Sequence, residues 1–168
     1  ETPPIGTIPP DLQKQFPISS VQLKRHQWMI GAFIAVLVLS GGIELWMGCS
    51  PLGPDGRFGL WEGDIWSSEN SQRFADPYSF SHFVHGVLFY PLLWLAARKL
   101  SIRHRLLVAL ALEAGWELLE NSPLIINRYR EVTIALGYVG DSVLNSLSDI
   151  LMMTIGFLFA CRVRLSAA

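Results

Sequence analysis

Cysteine is nearly absent from this chain of 168 residues, with only Cys49 and Cys161 present. That count excludes a disulfide scaffold and any Cys-x-x-Cys metal or redox motif. Charge is also scarce: 16% of residues are Asp, Glu, Lys or Arg, against 51% hydrophobic. This balance is too apolar for an ordinary soluble domain of the same length. The formal net charge is −1 and the basic residues are scattered, so the electrostatic footprint of a nucleic-acid binder is missing. No His-Glu-x-x-His motif occurs, and no internal repeat is evident.

Long apolar runs are abundant instead. Four segments reach the roughly 17–25 residues that a helix needs to cross a bilayer: 28–47, 80–97, 106–126 and 142–160. The expected fold is therefore all-α, a polytopic membrane protein with four transmembrane helices. Pro91 should kink the second helix and Pro123 the end of the third, since each removes a backbone donor.

Basic residues set the expected orientation. Lys14, Lys24, Arg25, Arg98, Lys99, Arg103, Arg105, Arg162 and Arg164 fall on one side, while Arg57, Arg73, Arg128 and Arg130 fall on the other. Both termini are then cytoplasmic. The loop 48–79 is external and acidic, with Asp55, Glu62, Asp64, Glu69 and Asp76. Cys49 and Cys161 lie near opposite faces, too far apart to bond within one chain. In this layout residues 1–27 are a Pro-rich cytoplasmic tail, 28–161 the transmembrane domain and 162–168 a short cytoplasmic end. The apolar run from Trp28 lacks a small-x-small site behind it, so it reads as a retained helix in the bacterial inner membrane.

Residues 1–17 hold Pro3, Pro4, Pro9, Pro10 and Pro17 without apolar periodicity. Such a segment cannot bury itself, and a partner protein is the expected means of ordering it.

The apolar segments carry polar residues that are costly in lipid. An ionisable side chain at mid-bilayer costs roughly 2.5–3.5 kcal/mol on insertion scales, so it must face protein, water, a metal or a ligand. His82 and His85 share one face of the second helix, and Glu113, Glu117 and Glu120 form a stripe on the third. Asp141, Asn145, Ser148 and Asp149 descend the fourth from the same side. Convergence of three helices at one depth points to a site. A divalent cation held by His82, His85, Glu113 and Glu117 is one use of it. Carboxylates that share protons for acid–base work are another, with Glu117, Glu120 and Asp149 as catalytic candidates.

Structural readings stand beside these. Asp141 after Gly140 suits a helix N-cap, Asp141, Asn145 and Asp149 suit an interhelical polar network, and Glu44 could snorkel. His82, nearer the interface than His85, reads equally as a headgroup-level polar residue. The turn Asn127–Arg130 puts Arg128 and Arg130 at headgroup height, suited to phosphate or to pairing with nearby acids. The loop 60–70, dense in acids and tryptophans, could cover the cluster.

The strings LWEGDIWSSENSQ (60–72), YSFSHFVHGVLFY (78–90), EAGWELLENSPLIINRYR (113–130) and GDSVLNSLSDILMMTIGF (140–157) resemble an uncharacterised family of small alphaproteobacterial inner-membrane proteins. That family is a domain of unknown function, so the resemblance implies a fold and a compartment but no activity. A looser likeness is to VanZ-type membrane proteins, in which an early His, a mid-chain Glu and a late D-x-x-x-N recur. Here those positions are His82 or His85, Glu117, and Asp141 with Asn145, while Glu120 stands where that pattern usually has Gln.

Three functions fit these observations. The first is a non-catalytic accessory or structural subunit of a larger membrane assembly, with other membrane subunits and lipids as partners. The second is a membrane-embedded metal- or carboxylate-dependent enzyme or binding protein acting on a lipid-linked phosphate at the outer leaflet. The third is a pigment- or haem-binding subunit using one helical His.

Overall fold

The computed structural model describes residues 20–132 and 138–167. Among them are five helices: α1 Ser20–Met47, α2 Ser79–Ala96, α3 Ile102–Glu120, α4 Pro123–Val132 and α5 Val143–Ala167. No strand forms among the described residues. The loop between α1 and α2 contributes only an isolated parallel bridge between Trp61 and Ala75.

Among the described residues three helices are long and apolar enough to cross a membrane, over Gln27–Met47, Ser79–Ala96 and Val143–Val163. The helix α3 has a comparable length, but Arg103, Arg105, Glu113, Glu117 and Glu120 lower its apolarity. Half of the α5 span is buried, against 17% for α1 and 22% for α2. α5 is thus the central helix, and the large apolar side chains of α1, such as Val38, Leu39 and Trp46, stay exposed on the outside of the bundle.

Several boundaries differ from expectation for identifiable reasons. The third apolar run is interrupted at Asn121–Ser122, because Pro123 lacks an N–H and disfavours helical geometry in the residue before it. Pro123 starts a separate helix, where a missing N–H costs nothing. α1 begins at Ser20, before the apolar run, and α5 continues through 162–167 instead of stopping at the apolar limit. The expected N-cap role of Asp141 belongs to Ser142, whose Oγ accepts from the Asn145 N–H at 3.2 Å. Glu44 does not snorkel: it is fully buried, and Ser40 Oγ donates to its Oε1 at 3.4 Å. The Pro-rich segment 1–17 lies outside the described residues.

The tightest helix crossing is between α2 and α5. A Cβ on Gly86 would lie 1.9 Å from the Met153 carbonyl oxygen, and one on Gly156 would lie 2.0 Å from that of Phe83. Only hydrogen at both positions lets the two backbones meet. Beside this contact sits the apolar core: Tyr90, Ala109, Leu110, Ala114, Ile150, Met153 and Phe157. Towards the start of α2 and of α5 the buried side chains become polar, and the loop 48–78 seals that end.

Its seal is a set of backbone bonds at the start of α5. The N–H groups of Ser142, Val143 and Leu144 donate to the carbonyls of Ser71, Ser50 and Pro51 at 2.9, 2.9 and 3.2 Å. Ser142 Oγ donates to Gln72 O and Asn145 Nδ2 to Arg73 O, at 3.1 and 2.9 Å. The first-turn donors that a helix leaves orphaned are therefore satisfied by the loop, which fixes its position. Asp76 secures the other end of the loop. Its Oδ1 accepts from the N–H groups of Tyr78 and Ser79, and its Oδ2 from that of Ser71.

Candidate cation centre and its cavity

Three elements deliver the site. α2 contributes His82 and His85 from its first turns, α3 contributes Glu113 and Glu117 from its buried stripe, and α5 contributes Asp149 one turn below Asn145. The i, i+3 and i, i+4 spacings put each pair on one helix face, as the sequence requires. Glu113 and Glu117 are fully buried, Asp149 is 2% exposed and His82 6%. Four ionisable groups out of solvent must compensate one another or bind something.

His82 is the hub. Its Nδ1 lies 2.7 Å from Glu113 Oε1 and 3.2 Å from Glu117 Oε1, and its Nε2 lies 3.7 Å from Asp149 Oδ2. His85 Nδ1 lies 3.1 Å from the same Glu113 Oε1. One imidazole nitrogen carries one hydrogen, and the shortest contact assigns it to Glu113. Both oxygens of Glu117 and Oδ1 of Asp149 then remain buried without a hydrogen-bond donor. Unpaired buried carboxylate oxygens are expensive, so this geometry asks for a cation or a proton.

A cation fits the spacing. His82, Glu117 and Asp149 each offer a ligand atom within 4.8 Å of the other two, as do His82, His85 and Glu113. Two ligands on one tetrahedral ion, at roughly 2.0–2.2 Å each, stand about 3.4 Å apart, close to the 3.7 Å between His82 Nε2 and Asp149 Oδ2. With Nδ1 donating to Glu113, the Nε2 lone pair is free to face that ion, the usual carboxylate–histidine–metal arrangement. In this arrangement Glu113 orients the imidazole instead of binding the ion.

Next to this centre is a cavity of about 670 Å³. The loop supplies Trp66, Asn70 and Gln72, the helices supply His82, His85, Trp116, Glu120 and Asp149, and Tyr129, Tyr138 and Asp141 complete the wall. Tyr129 OH donates to Glu120 Oε1 at 3.2 Å and Tyr138 OH to Asp141 Oδ1 at 2.8 Å. Burial, with Glu120 nearby, holds the Asp141 carboxyl well above the usual carboxylate range. Burial also raises both phenols, Tyr129 to about 12, with Glu120 adding to the shift.

Residues 44–168 match the family described as "Protein of unknown function (DUF2585)". The chain belongs to this family. It is 51% identical over 140 residues to the UPF0314 protein of Rhizobium johnstonii, covering 82% of this chain and 71% of that protein. It is 48% identical over 143 residues to the UPF0314 protein of Sphingopyxis alaskensis, covering 84% and 74%. A UPF0314 protein of Paracoccus denitrificans is 51% identical over 132 residues, covering 79% and 68%. No solved structure matches the chain. The matched part of this DUF2585 member contains every residue of the cluster and cavity.

The nominated residues separate into three groups in this DUF2585 protein. His82, His85, Glu113, Glu117 and Asp149 come together. Glu120, Asp141 and Asn145 line the cavity, but the Asn145 amide is taken by the loop at Arg73 O. Arg128 is exposed and does not line the cavity; Arg130 donates through Nε to Tyr138 O at 2.6 Å. The likeness to VanZ proteins is not shown, and the residues that suggested it divide here between the cluster, with His82 and Glu117, and the cavity wall, with Asp141 and Asn145.

Sequence reasoning missed Gly86, Gly156, Trp116, Tyr129 and Tyr138. A lone glycine inside each apolar helix was the available signal for the first two. The aromatic residues carried none that separates them from an interfacial belt.

Proposed function

We propose that this protein is a four-span bacterial inner-membrane protein that holds a divalent cation between His82, Glu117 and Asp149 and uses it on a small molecule in the adjoining cavity. The observation that carries this reading is that both oxygens of Glu117 and Oδ1 of Asp149 are buried without a donor while one imidazole, His82, approaches both carboxylates. One nitrogen and two carboxylate ligands suit a cation of borderline hardness such as zinc or manganese. Bound there, it would polarise a ligand oxygen or activate water. Glu113 would fix the His82 ring, and the loop 64–72 would limit the entry of bulk water.

The fourth crossing is α3. Its buried face holds the costly carboxylates inside the bundle, while Val108, Leu112 and Leu119 face outward. The orientation with both termini cytoplasmic and the cavity on the outer side rests on the nine-to-four distribution of basic residues.

The test is metal analysis of the purified protein. After loading and desalting, wild type should carry about one ion per chain. Glu117→Gln, which keeps the shape and removes the charge, should carry none while eluting as a folded protein. Failure of wild type to retain any ion at stoichiometric level would overturn the reading.

The accessory-subunit reading depends on the tail 1–17, and deleting that tail should release the protein from an assembly if the reading holds. No described contact favours it over the cation centre. A lipid-linked phosphate as ligand would have to rely on the ion itself, since Arg128 and Arg130 do not line the cavity. A pigment or haem would have to sit against a carboxylate-rich floor, with both imidazoles engaged by Glu113.

A further inference from the structure

The cavity is polar inside and apolar at its mouth. Every buried residue of its wall is polar: Ser71, Gln72, His82, Asp141, Asn145 and Asp149. The exposed ones are mostly not. Ile65, Trp66, Tyr78, Trp116 and Val139 border the cavity with 37–61% of their surface exposed, and Ser68 and Ser81 are the two polar residues that share this position. Water in front of such a rim would leave five apolar or aromatic side chains hydrated. The head-group region of a bilayer removes that cost and favours Trp and Tyr in particular.

The rim also joins the lipid-facing surface of the bundle. Phe80, Val84, Leu88, Leu92 and Leu95 form an exposed row along α2, because steps of three and four residues stay on one helix face. At the top of that row the Trp61 ring meets Phe80 edge-on, with centroids 6.2 Å apart. Phe58, Leu60, Ile65 and Trp66 carry the apolar surface on through the loop, where all four are exposed. An extended apolar surface of this kind marks membrane contact. His85 lies within the α2 span, lines the cavity and keeps 35% of its side chain exposed. Against hydrocarbon that imidazole is costly, and a polar head group beside it removes the cost.

We infer that the cavity opens sideways into the outer leaflet and takes a membrane lipid, with a head-group oxygen at the cation and the chains leaving over the rim along the α2 row. A water-soluble ligand would have to cross the apolar rim to reach the polar floor. A lipid already lies against it. The inference deepens the cation-dependent reading and rests on it for the role of the floor, while the rim decides from which side the ligand comes.

The test has two readouts, both on the full chain. In nanodiscs, the fluorescence of Trp66 is isolated as the difference between wild type and Trp66→Phe. Phosphatidylcholine carrying bromine on its acyl chains should quench it more strongly than aqueous iodide does. Stronger quenching by iodide would open the mouth to water, and quenching by neither would place protein over it; each result overturns the inference. The second readout is mass spectrometry of the intact metal-loaded protein, purified from its membrane in mild detergent. Wild type should carry about one lipid per chain, and Ile65→Asp combined with Trp66→Asp should retain about tenfold less while keeping the metal content of wild type. Wild type that holds metal but no lipid, or a rim variant that keeps the lipid, would overturn the inference and leave the cation centre standing. Lipid held by a wild type that retains no metal would do the opposite. The quenching comparison and the lipid content of wild type do not depend on the rim variant folding.

Discussion

Glu113 Oε1 is shared by two imidazoles, 2.7 Å from His82 Nδ1 and 3.1 Å from His85 Nδ1. A single buried carboxylate thereby fixes the orientation of both rings and keeps the His82 Nε2 edge towards Asp149. Glu113→Gln should lower cation affinity by roughly 10–100-fold, the usual loss for an orienting partner. His82→Ala should abolish binding altogether. Calorimetric titration of zinc or manganese into the metal-free protein distinguishes the two, and equal losses would make Glu113 a direct ligand.

The glycine crossing predicts a large packing effect from a small change. Gly86→Ala puts a methyl group where the Met153 carbonyl already lies, so α2 and α5 must separate. Overpacking of this kind typically costs about 1–3 kcal/mol. Thermal unfolding in detergent should show the loss, and cation affinity should fall with it because His82 and Asp149 sit on the separating helices. Gly115, with open space around its Cβ position, should tolerate alanine and serves as the control.

How much of this was legible in the sequence differs between elements. Apolar length and polar spacing revealed the helices and brought His82, His85, Glu113, Glu117 and Asp149 to one depth, because helical period alone decides which face they share. The relative importance of the two histidines was not legible. His82 lies in the first turn of α2 and so reads as interfacial. The loop 48–78, tied down by Asp76 and by the start of α5, covers that turn and makes His82 the more buried of the pair. Arg128 and Arg130 were misplaced towards the site because the run 106–126 reads as continuous, whereas Pro123 turns the chain into α4. Asn145 reads as part of the cluster by spacing, but a backbone carbonyl of a distant loop takes its amide, and no local pattern reports that.

Stability should depend on pH through Asp141. Burial raises its carboxyl well above the usual range, so the native state holds a proton that the unfolded chain has released. Below the ordinary aspartate value, about 3.9, both states are protonated and the residue adds no pH dependence. As pH rises from there towards the raised native value, the protein should lose stability. Asp141→Asn should flatten that slope above about pH 4 in thermal unfolding. A slope unchanged by the substitution would remove Asp141 as its source.

Topology can be read with thiols, allowing for the surroundings of Cys49. Burial, with Glu44 and Asp141 nearby, pushes this thiol up to about 11. At neutral pH it should react roughly a hundredfold more slowly than an ordinary thiol. In intact cells a membrane-impermeant maleimide should label Asp64→Cys rapidly, Cys49 slowly and Cys161 not at all. Labelling of Cys161 alone would invert the orientation.

X-ray absorption at the metal edge tests the cation centre most directly. A protein loaded with one zinc per chain should show only nitrogen and oxygen neighbours near 2.0–2.2 Å, with the outer-shell scattering of an imidazole. That scattering should be lost in His82→Ala, and the oxygen count should fall in Asp149→Asn. A spectrum unchanged by both substitutions, or one with sulfur neighbours from Cys49 or Cys161, would contradict the account.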